Sequence, residues 1–451
     1  MQKRNFILLI IVLVITTISI LVFLSFRKGT TPAEDTTPGT NFFSQFNPFG
    51  TKPVPPAVTP PVDVSGYVPP VGTEASTAKL MKVSSMPIAG FAVFLKERLK
   101  EVPVITSTPE ATGTTTTTPV VTKTTKPTPP PTEFMPALRY VDRVTGNIYQ
   151  TFADKIEERK FSTTIIPKVY EAYFGNRGES VVMRYLKTDD KTIETFVGTL
   201  PKELLGGDNT GDNEVKGSFL PNNVRDISLS PDTLKIFYLF DNGNDLGDSI
   251  IGTTLNFSNN KKVQIFNSPF TEWLSQWGSS NTITLTTKPS ARALGYMYMF
   301  DSAGKNLGKV LGGINGLTTL AAPSGKLVLY GDNNLSLSIY HTDTRNSDIL
   351  VIKTLPEKCV WGRVSDVVYC AVPKSITAGE YPDTWYQGEM FFNDQIWKID
   401  IKTGNATLVV DPAEAIGGED VDGIKLALDE GGNYLFFVNK KDSFLWKLGL
   451  K

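Results

Sequence analysis

A short unit made of an alternating strand, a polar turn and a second strand recurs along most of this 451-residue chain. Residues 139–147 and 397–405 show it best, since both read Val or Ile, then Asp, two further residues and Thr-Gly-Asn. Equivalent positions fall near 142, 187, 258, 301, 343, 400 and 449. Most gaps are 42–49 residues, and the two long ones contain apparent insertions, 200–223 and 374–391. A period of about 40–50 residues is typical of a four-stranded propeller blade.

The strands between these turns are short and rich in Val, Ile, Tyr, Phe and Thr, which predicts an all-β fold. Seven units fit a seven-bladed β-propeller, and six or eight blades remain alternatives. The turns at Ser230-Pro231-Asp232 and Asp400-x-x-Thr403-Gly404 resemble those of TolB-like and WD40-like β-propellers over residues 79–451. The whole chain also resembles uncharacterised membrane-anchored bacterial propeller proteins. The last unit shows three strands, so a segment near the stalk is needed to supply its fourth, and the sequence does not assign that segment.

The first part of the chain predicts a membrane tether. Residues 6–26 carry no charge, and a helix of that length spans about 30 Å of hydrocarbon. We therefore interpret residues 1–28 as an uncleaved transmembrane signal anchor and the Pro- and Thr-rich residues 29–78 as a disordered stalk. A second Thr/Pro-rich tract, 101–132, is an insertion within the first blade. This organisation predicts a single-pass protein of the cell membrane with its propeller on the extracytoplasmic side.

Composition excludes several classes of chemistry. Lys and Arg total 45 against 46 Asp and Glu, so the chain has no bulk positive charge to hold nucleic acid. A single histidine, His341, and two cysteines exclude His-pair and Cys-cluster sites. His341 lies in a strand between Tyr340 and Thr342, where a surface position is the natural interpretation.

The two cysteines predict a disulfide. Residues 358–364 and 367–372 have the pattern of a hairpin, and in such a hairpin Cys359 faces Cys370. Directly opposed residues of an antiparallel pair are within disulfide range. Outside the cytoplasm we expect the bond to form, and the alternative is two small buried apolar side chains.

Six long segments are assigned to one face of the propeller, the face that carries the connections from second to third strands and from blade to blade. They are 96–136, 200–223, 241–249, 288–294, 374–391 and 411–422. Long loops clustered on one side of a rigid scaffold indicate a binding face, and random loop growth is the alternative. The richest segment, 374–391 with its flank, supplies the candidate contact residues Tyr381, Asp383, Trp385, Tyr386, Phe391 and Phe392. The alternative is a loop folded onto its own aromatic side chains to plug the channel mouth.

Three acidic groups raise the question of a bound Ca²⁺. They are Asp208, Asp212 and Glu214; Asp241, Asp245 and Asp248; and Glu419, Asp420 and Asp422. None fits the twelve-residue calcium loop, so we predict no metal site and no cofactor, with Ca²⁺ as the alternative.

The leading functional prediction is non-enzymatic: a membrane-anchored scaffold that binds a protein, peptide or glycan of the cell envelope through its long-loop face. One alternative is a carbohydrate-active hydrolase or lyase that uses carboxylates at the propeller channel, which requires two converging carboxyl groups. The other is a structural envelope protein.

Overall fold

The repeating strands form antiparallel four-stranded sheets in the computed structural model, which describes residues 80–100, 130–205, 213–243, 249–415 and 418–451. Seven such sheets are present in these residues, and each corresponds to one blade of a β-propeller. The fold is therefore the all-β, seven-bladed propeller that the repeat predicted.

Strand numbers follow chain order and begin with β1 (Leu80–Lys82). Blade 1 comprises β2 (Ile88–Leu99), β3 (Thr132–Asp142), β4 (Ile148–Phe152) and β5 (Arg159–Lys160). Blade 2 comprises β6 (Val169–Gly175), β7 (Ser180–Leu186), β8 (Ile193–Thr199) and β9 (Lys216–Phe219). Blade 3 comprises β10 (Val224–Leu229), β11 (Lys235–Asp241), β12 (Ile250–Asn256) and β13 (Lys262–Ser268).

The remaining blades follow the same plan. Blade 4 comprises β14 (Trp273–Ser279), β15 (Thr282–Thr287), β16 (Leu294–Asp301) and β17 (Gly308–Asn315). Blade 5 comprises β18 (Thr318–Ala321), β19 (Leu327–Gly331), β20 (Ser336–His341) and β21 (Ser347–Lys353). Blade 6 comprises β22 (Cys359–Trp361), β23 (Val367–Pro373), β24 (Asp394–Asp400) and β25 (Ala406–Val410), and blade 7 contains β26 (Gly423–Leu428), β27 (Tyr434–Asn439) and β28 (Leu445–Gly449). The short helices are the 3-10 turns Asn176–Gly178 and Pro356–Lys358 and the α-helix α1 (Asp383–Tyr386).

Blade 7 is completed by the start of the described chain. Strand β1 pairs antiparallel with β28, with Leu80 opposite Leu448 and Lys82 opposite Trp446. The sheet order is β1-β28-β27-β26, so β1 is its outermost strand. The fourth strand that the sequence left unassigned is thus β1, and the two ends of the propeller are held in one sheet.

The first strand of each blade lies innermost, and we label the strands of a blade a to d from the channel outward. The a strands of neighbouring blades contact each other, as β2 does with β6 and with β26. The approach is close at Gly90 of β2, where a Cβ atom would lie 2.0 Å from the carbonyl oxygen of Ala172 in β6. Only glycine therefore fits at this point between blades 1 and 2.

The core consists of apolar layers between neighbouring blades. Between blades 5 and 6, Leu329 and Ile339 pack with Trp361, Val368 and Trp397 in one buried cluster. Similar clusters join blades 2 and 3 and blades 6 and 7. Each sheet has both faces covered by its neighbours, and this burial of apolar area is the main stabilising term of the ring.

The structure corrects the alignment of two repeats. The positions near 142 and 187 follow b strands, whereas those near 258, 301, 343 and 400 follow c strands. Turn chemistry explains the error, because an aspartate caps both kinds of turn. Asp142 accepts the Val144 amide at 3.0 Å in a b–c turn, and Asp400 accepts the Thr403 amide at 2.8 Å in a c–d turn.

The same one-strand shift places two of the long segments on the wrong face. We call the face with the b–c connections and d–a links the loop face, and the face with the a–b and c–d connections the turn face. Segment 96–136 joins β2 to β3, an a–b connection, and most of 200–223 joins β8 to β9, a c–d connection. Their predicted place on the loop face is wrong, and the other four segments do lie on it.

The predicted anchor (1–28) and stalk (29–78) lie outside the described residues, as does most of the insertion 101–132. Within the residues that are described, no helix has the length and apolar character needed to cross a bilayer.

Candidate functional site

The largest b–c connection on the loop face, residues 374–393 of blade 6, builds a small core of its own. Three of the six predicted contact residues, Tyr381, Trp385 and Phe392, are buried in it. Their rings lie within 6.4 Å of one another, centroid to centroid, along the pairs Tyr381–Phe392 and Trp385–Phe392. Leu335 and Leu355 of the neighbouring connections complete this cluster. These three aromatic side chains hold the loop in place and are not presented to solvent.

A buried ion network fastens this loop to the ring. The side chains of Lys358, Asp394 and Asp422 are fully buried, and Lys358 Nζ lies 2.7 Å from Asp394 Oδ2 and also bonds Asp422 Oδ1. The loop joins the network through Trp385, whose Nε1 donates to Asp422 Oδ2 at 2.9 Å, and through the Phe392 amide at 3.1 Å. The network therefore connects the entry to β22, the start of β24 and the link between blades 6 and 7.

Burial shifts the pKa of one carboxylate in this network. Desolvation raises the pKa of Asp394 to about 6, Lys358 opposes that shift, and the Asp422 charge adds to it. The second carboxylate oxygen of Asp394, Oδ1, has no hydrogen-bond partner among the described residues. Because both carboxylates are completely buried around a lysine, this pair is not the substrate-accessible carboxylate pair that the hydrolase or lyase alternative requires.

The other three predicted contact residues lie at the surface of the loop. Phe391 is 47% exposed and Tyr386 is 37% exposed. Asp383 is partly buried, and its Oδ2 accepts the Ala291 amide of the blade 4 connection at 2.6 Å. Next to it, Arg292 Nε donates to Glu380 Oε1 at 2.9 Å. The loop thus reaches across the channel mouth from blade 6 to blade 4, and Asp383 serves this attachment.

Lys440 holds the exposed ring of Phe391 beside the propeller. Its ammonium lies 5.2 Å from the centroid of Phe391 and 4.1 Å from that of Trp385, and it also donates to the Trp385 carbonyl. A cation above aromatic faces at this range is stabilising. Phe391 is consequently an exposed aromatic side chain on a fixed support.

Tyr386 faces the channel, where its hydroxyl donates to Glu357. Both side chains line a cavity of about 50 Å³ together with Gln276, Thr318 and Thr319 of blades 4 and 5. Burial raises the pKa of Glu357 to about 7, and Tyr386 and Lys358 oppose the shift. The cavity holds no more than one or two water molecules, so it is a polar pore lining rather than a substrate pocket.

The remaining sequence candidates are dispersed. Asp208, Asp212, Asp245 and Asp248 lie outside the described residues. Asp241 accepts Arg225 at 3.1 Å, Glu419 pairs with Lys82 at 3.3 Å, Asp422 belongs to the buried network, and Glu214 and Asp420 are exposed. No group of three metal-ligating side chains is found in the described part of the chain. His341 lies on blade 5, with Nε2 at 2.9 Å from Asp348.

Cys359 and Cys370 are directly opposed in the β22–β23 pair, with Cα atoms 4.0 Å apart, and their sulfur atoms are bonded. Both are buried in the layer between blades 5 and 6. The disulfide begins one residue after Lys358 and so lies at the base of the ion network.

Comparison with known proteins yields likeness in structure only. No family model matches the chain, and no curated protein matches it. Among solved structures, it is similar to an oligogalacturonate lyase from Vibrio parahaemolyticus, with 7% identity, TM-score 0.44, and coverage of 70% of this chain and 86% of that one. An oligogalacturonate lyase in complex with manganese matches at 10% identity, TM-score 0.45, with 70% and 85% coverage. A chain of a mitotic checkpoint complex matches at 11% identity, TM-score 0.44, with 70% and 84% coverage.

The residues that sequence reasoning missed are Lys358, Asp394, Glu357 and Lys440. In the sequence Lys358 is a charged residue just before an apolar strand, a common pattern that does not indicate burial. Its burial depends on ion pairing with Asp394 and Asp422, which are 36 and 64 residues away in sequence.

Proposed function

We propose that this chain is a non-enzymatic binding propeller, tethered to the cell membrane by residues 1–28 and acting outside the cytoplasm. Its partner is a protein, peptide or glycan of the cell envelope, and the binding surface is the loop face around residues 374–393. A disulfide is the state expected in an oxidising compartment, and an uncharged run of 21 residues (6–26) suits a membrane helix.

One observation carries the proposal. The 374–393 loop has its own aromatic core and a buried ion network, and this support holds Phe391 exposed beside Lys440. An aromatic side chain that is already fixed loses little entropy on binding, which is why such residues are frequent anchors of interfaces. A loop that only plugged the channel would not require an exposed ring on this support.

The test compares two exposed phenylalanines on opposite faces. Phe391→Ala alters the loop face, and Phe134→Ala alters the turn face, where Phe134 is 65% exposed at the start of β3. The full-length chain and both variants are used to capture partners from envelope extracts, followed by titration of the captured partner. Deleting the whole loop is unsuitable, because it would also remove Trp385 from the buried network.

We expect Phe391→Ala to weaken partner binding at least tenfold and Phe134→Ala to leave it unchanged, since truncation of an interface anchor costs about 2 kcal/mol or more. Equal binding by both variants would refute the role of the loop face. A processed sugar or polymer product would favour the hydrolase or lyase alternative. Ordered self-assembly without any captured partner would favour the structural one.

A further inference from the structure

Four consecutive blades share an irregularity in their a strands close to the loop face. The register of each a–b pair shifts near the start of the strand, between Ile88 and Gly90, Val169 and Glu171, Val224 and Asp226, and Ile424 and Ala427. The extra residues include Ala89, Tyr170, Arg225 and Lys425. A β-bulge turns a side chain away from the regular alternation, and bulges recur beside binding sites. Blades 7, 1, 2 and 3 therefore form an arc along which three polar side chains are re-aimed.

Lys425 lies at the blade 7 end of this arc. It is exposed, its backbone is in the left-handed region (φ 52°), and its Nζ crosses to blade 1 to donate to the Ala89 carbonyl at 3.0 Å. Among the described residues no carboxylate oxygen forms an ion pair with it. Although the residue as a whole is exposed, its ammonium lies against blade 1, and this desolvation lowers the pKa of Lys425; Glu171 opposes the shift, and Arg143 and Arg184 add to it. Within the described part of the chain the ammonium therefore lies near two arginines and forms no ion pair.

The acceptors of the arc are already engaged within the protein. Glu171 accepts from Tyr173 at 2.8 Å and from Arg184. Asp226 Oδ2 accepts both the amide and the hydroxyl of Ser275 at 2.6 Å.

Hydrogen-bond donors of the arc, unlike its acceptors, are not all engaged. The Arg143 guanidinium donates only to the Ser443 hydroxyl, at 3.0 Å, in the hydrogen bonds of the described residues. Two buried polar atoms of blade 2, Tyr170 Oη and Arg184 Nε, have no partner among the described residues. A surface with surplus donors and surplus positive charge is complementary to a ligand rich in carboxylate oxygens.

This arc lies on the open side of the channel mouth. The 374–393 loop attaches to blade 4 through Asp383 and Glu380, so it covers the mouth on the side of blades 4, 5 and 6. Lys425 and Arg143 remain exposed on the other side, and Phe391 with Lys440 forms the boundary between the two. The cations are therefore spread over an open surface beside an exposed aromatic ring, an arrangement that suits an extended chain better than a small enclosed acid.

We propose that Lys425 and Arg143 of this arc bind the carboxylates of an acidic peptide segment of the partner protein. The inference rests on the proposed function, since it names the partner chemistry of the same face. Lys425 is the anchor, and Arg143 binds a second carboxylate of the segment. Arg225 is already paired with Asp241 at 3.1 Å and is not assigned a carboxylate of the ligand.

The test is fluorescence anisotropy of the full-length chain with three labelled probes of matched length: hexaglutamate, hexaglutamine and a hexamer of glucuronic acid. Hexaglutamate is expected to bind, with affinity that falls as salt increases, and hexaglutamine is expected not to bind. Lys425→Met should weaken hexaglutamate binding at least tenfold, as expected for loss of a charge-assisted hydrogen bond. Lys425→Arg keeps the charge and should stay within about threefold of the unmodified chain, because both side chains present N–H donors to a carboxylate.

Lys402→Met, on an exposed c–d turn of the turn face, is the matched control and should not change binding. Hexaglutamate binding that is absent, or that is unaffected by Lys425→Met, overturns the inference. Binding of the glucuronic acid hexamer alone overturns the assignment to a peptide. If Phe391→Ala abolishes partner capture while Lys425→Met does not, the proposed function stands and this inference fails. If neither variant affects capture, both fail.

Discussion

Removing the cation of the buried network is the most informative perturbation of this structure. Lys358→Met replaces the ammonium with an apolar group of similar length and leaves Asp394 and Asp422 fully buried without their counter-ion. Breaking a buried ion pair by removing one partner costs about 3–5 kcal/mol, because the remaining charge is neither solvated nor paired. Two carboxylates remain in this case, so we expect a loss at the upper end of that range at neutral pH.

The assay is equilibrium urea unfolding of the full-length chain, followed by tryptophan fluorescence. Trp385 reports on the site directly, since Lys358 Nζ lies 5.3 Å from its ring centroid. The triple variant Lys358→Met/Asp394→Asn/Asp422→Asn carries no charge at the site and should recover much of the loss. Lys402→Met is exposed and should stay within about 0.5 kcal/mol of the unmodified chain. A loss below about 1 kcal/mol for Lys358→Met, or an equal loss for the triple variant, would contradict the role assigned to these charges.

Two further predictions concern blade 6. The pKa of Asp394 is raised from 3.8 to about 6, so the folded state binds a proton more tightly than the unfolded chain does. The stability that this proton contributes is lost as pH rises from about 4 to about 6. Asp394→Asn should therefore flatten the dependence of the unfolding free energy on pH in this range, and an unchanged dependence would show that another group titrates. The chain purified from cells should contain no free thiol under denaturing, non-reducing conditions. Loss of the disulfide in Cys359→Ser/Cys370→Ser should lower the free energy of unfolding by about 2–4 kcal/mol. Quantitative alkylation of both thiols without prior reduction would instead place the propeller in a reducing compartment.

Periodicity was sufficient to predict the ring and not the identity of every strand. Blade length and alternation predict seven sheets because each blade repeats the same burial pattern. An aspartate-capped turn closes a b–c pair at Asp142 and a c–d pair at Asp400, so turn chemistry could not distinguish the two. By contrast, the Cys359–Cys370 pairing followed from the geometry of a tight hairpin, in which local sequence determines the register.

The candidate site was predictable as a region and not as a set of side chains. Aromatic content singled out the 374–393 loop, but alternate aromatic residues of such a loop can point inward or outward. Trp385 and Phe392 are buried because Asp422 and Lys358 arrive from other parts of the chain. Such long-range partners leave no local signal in the sequence, so the loop core could not be separated beforehand from the exposed residues Phe391 and Tyr386.

The proposed function depends on partner binding at the loop face. Photo-cross-linking in living cells tests this binding without purification of the partner. A photoreactive amino acid is introduced at position 391 or, separately, at position 134, and adducts are identified by mass spectrometry after irradiation. We expect a defined cell-envelope adduct from position 391 and none from position 134. The same adduct from position 134, with none from position 391, would place the binding surface on the turn face and refute the proposal.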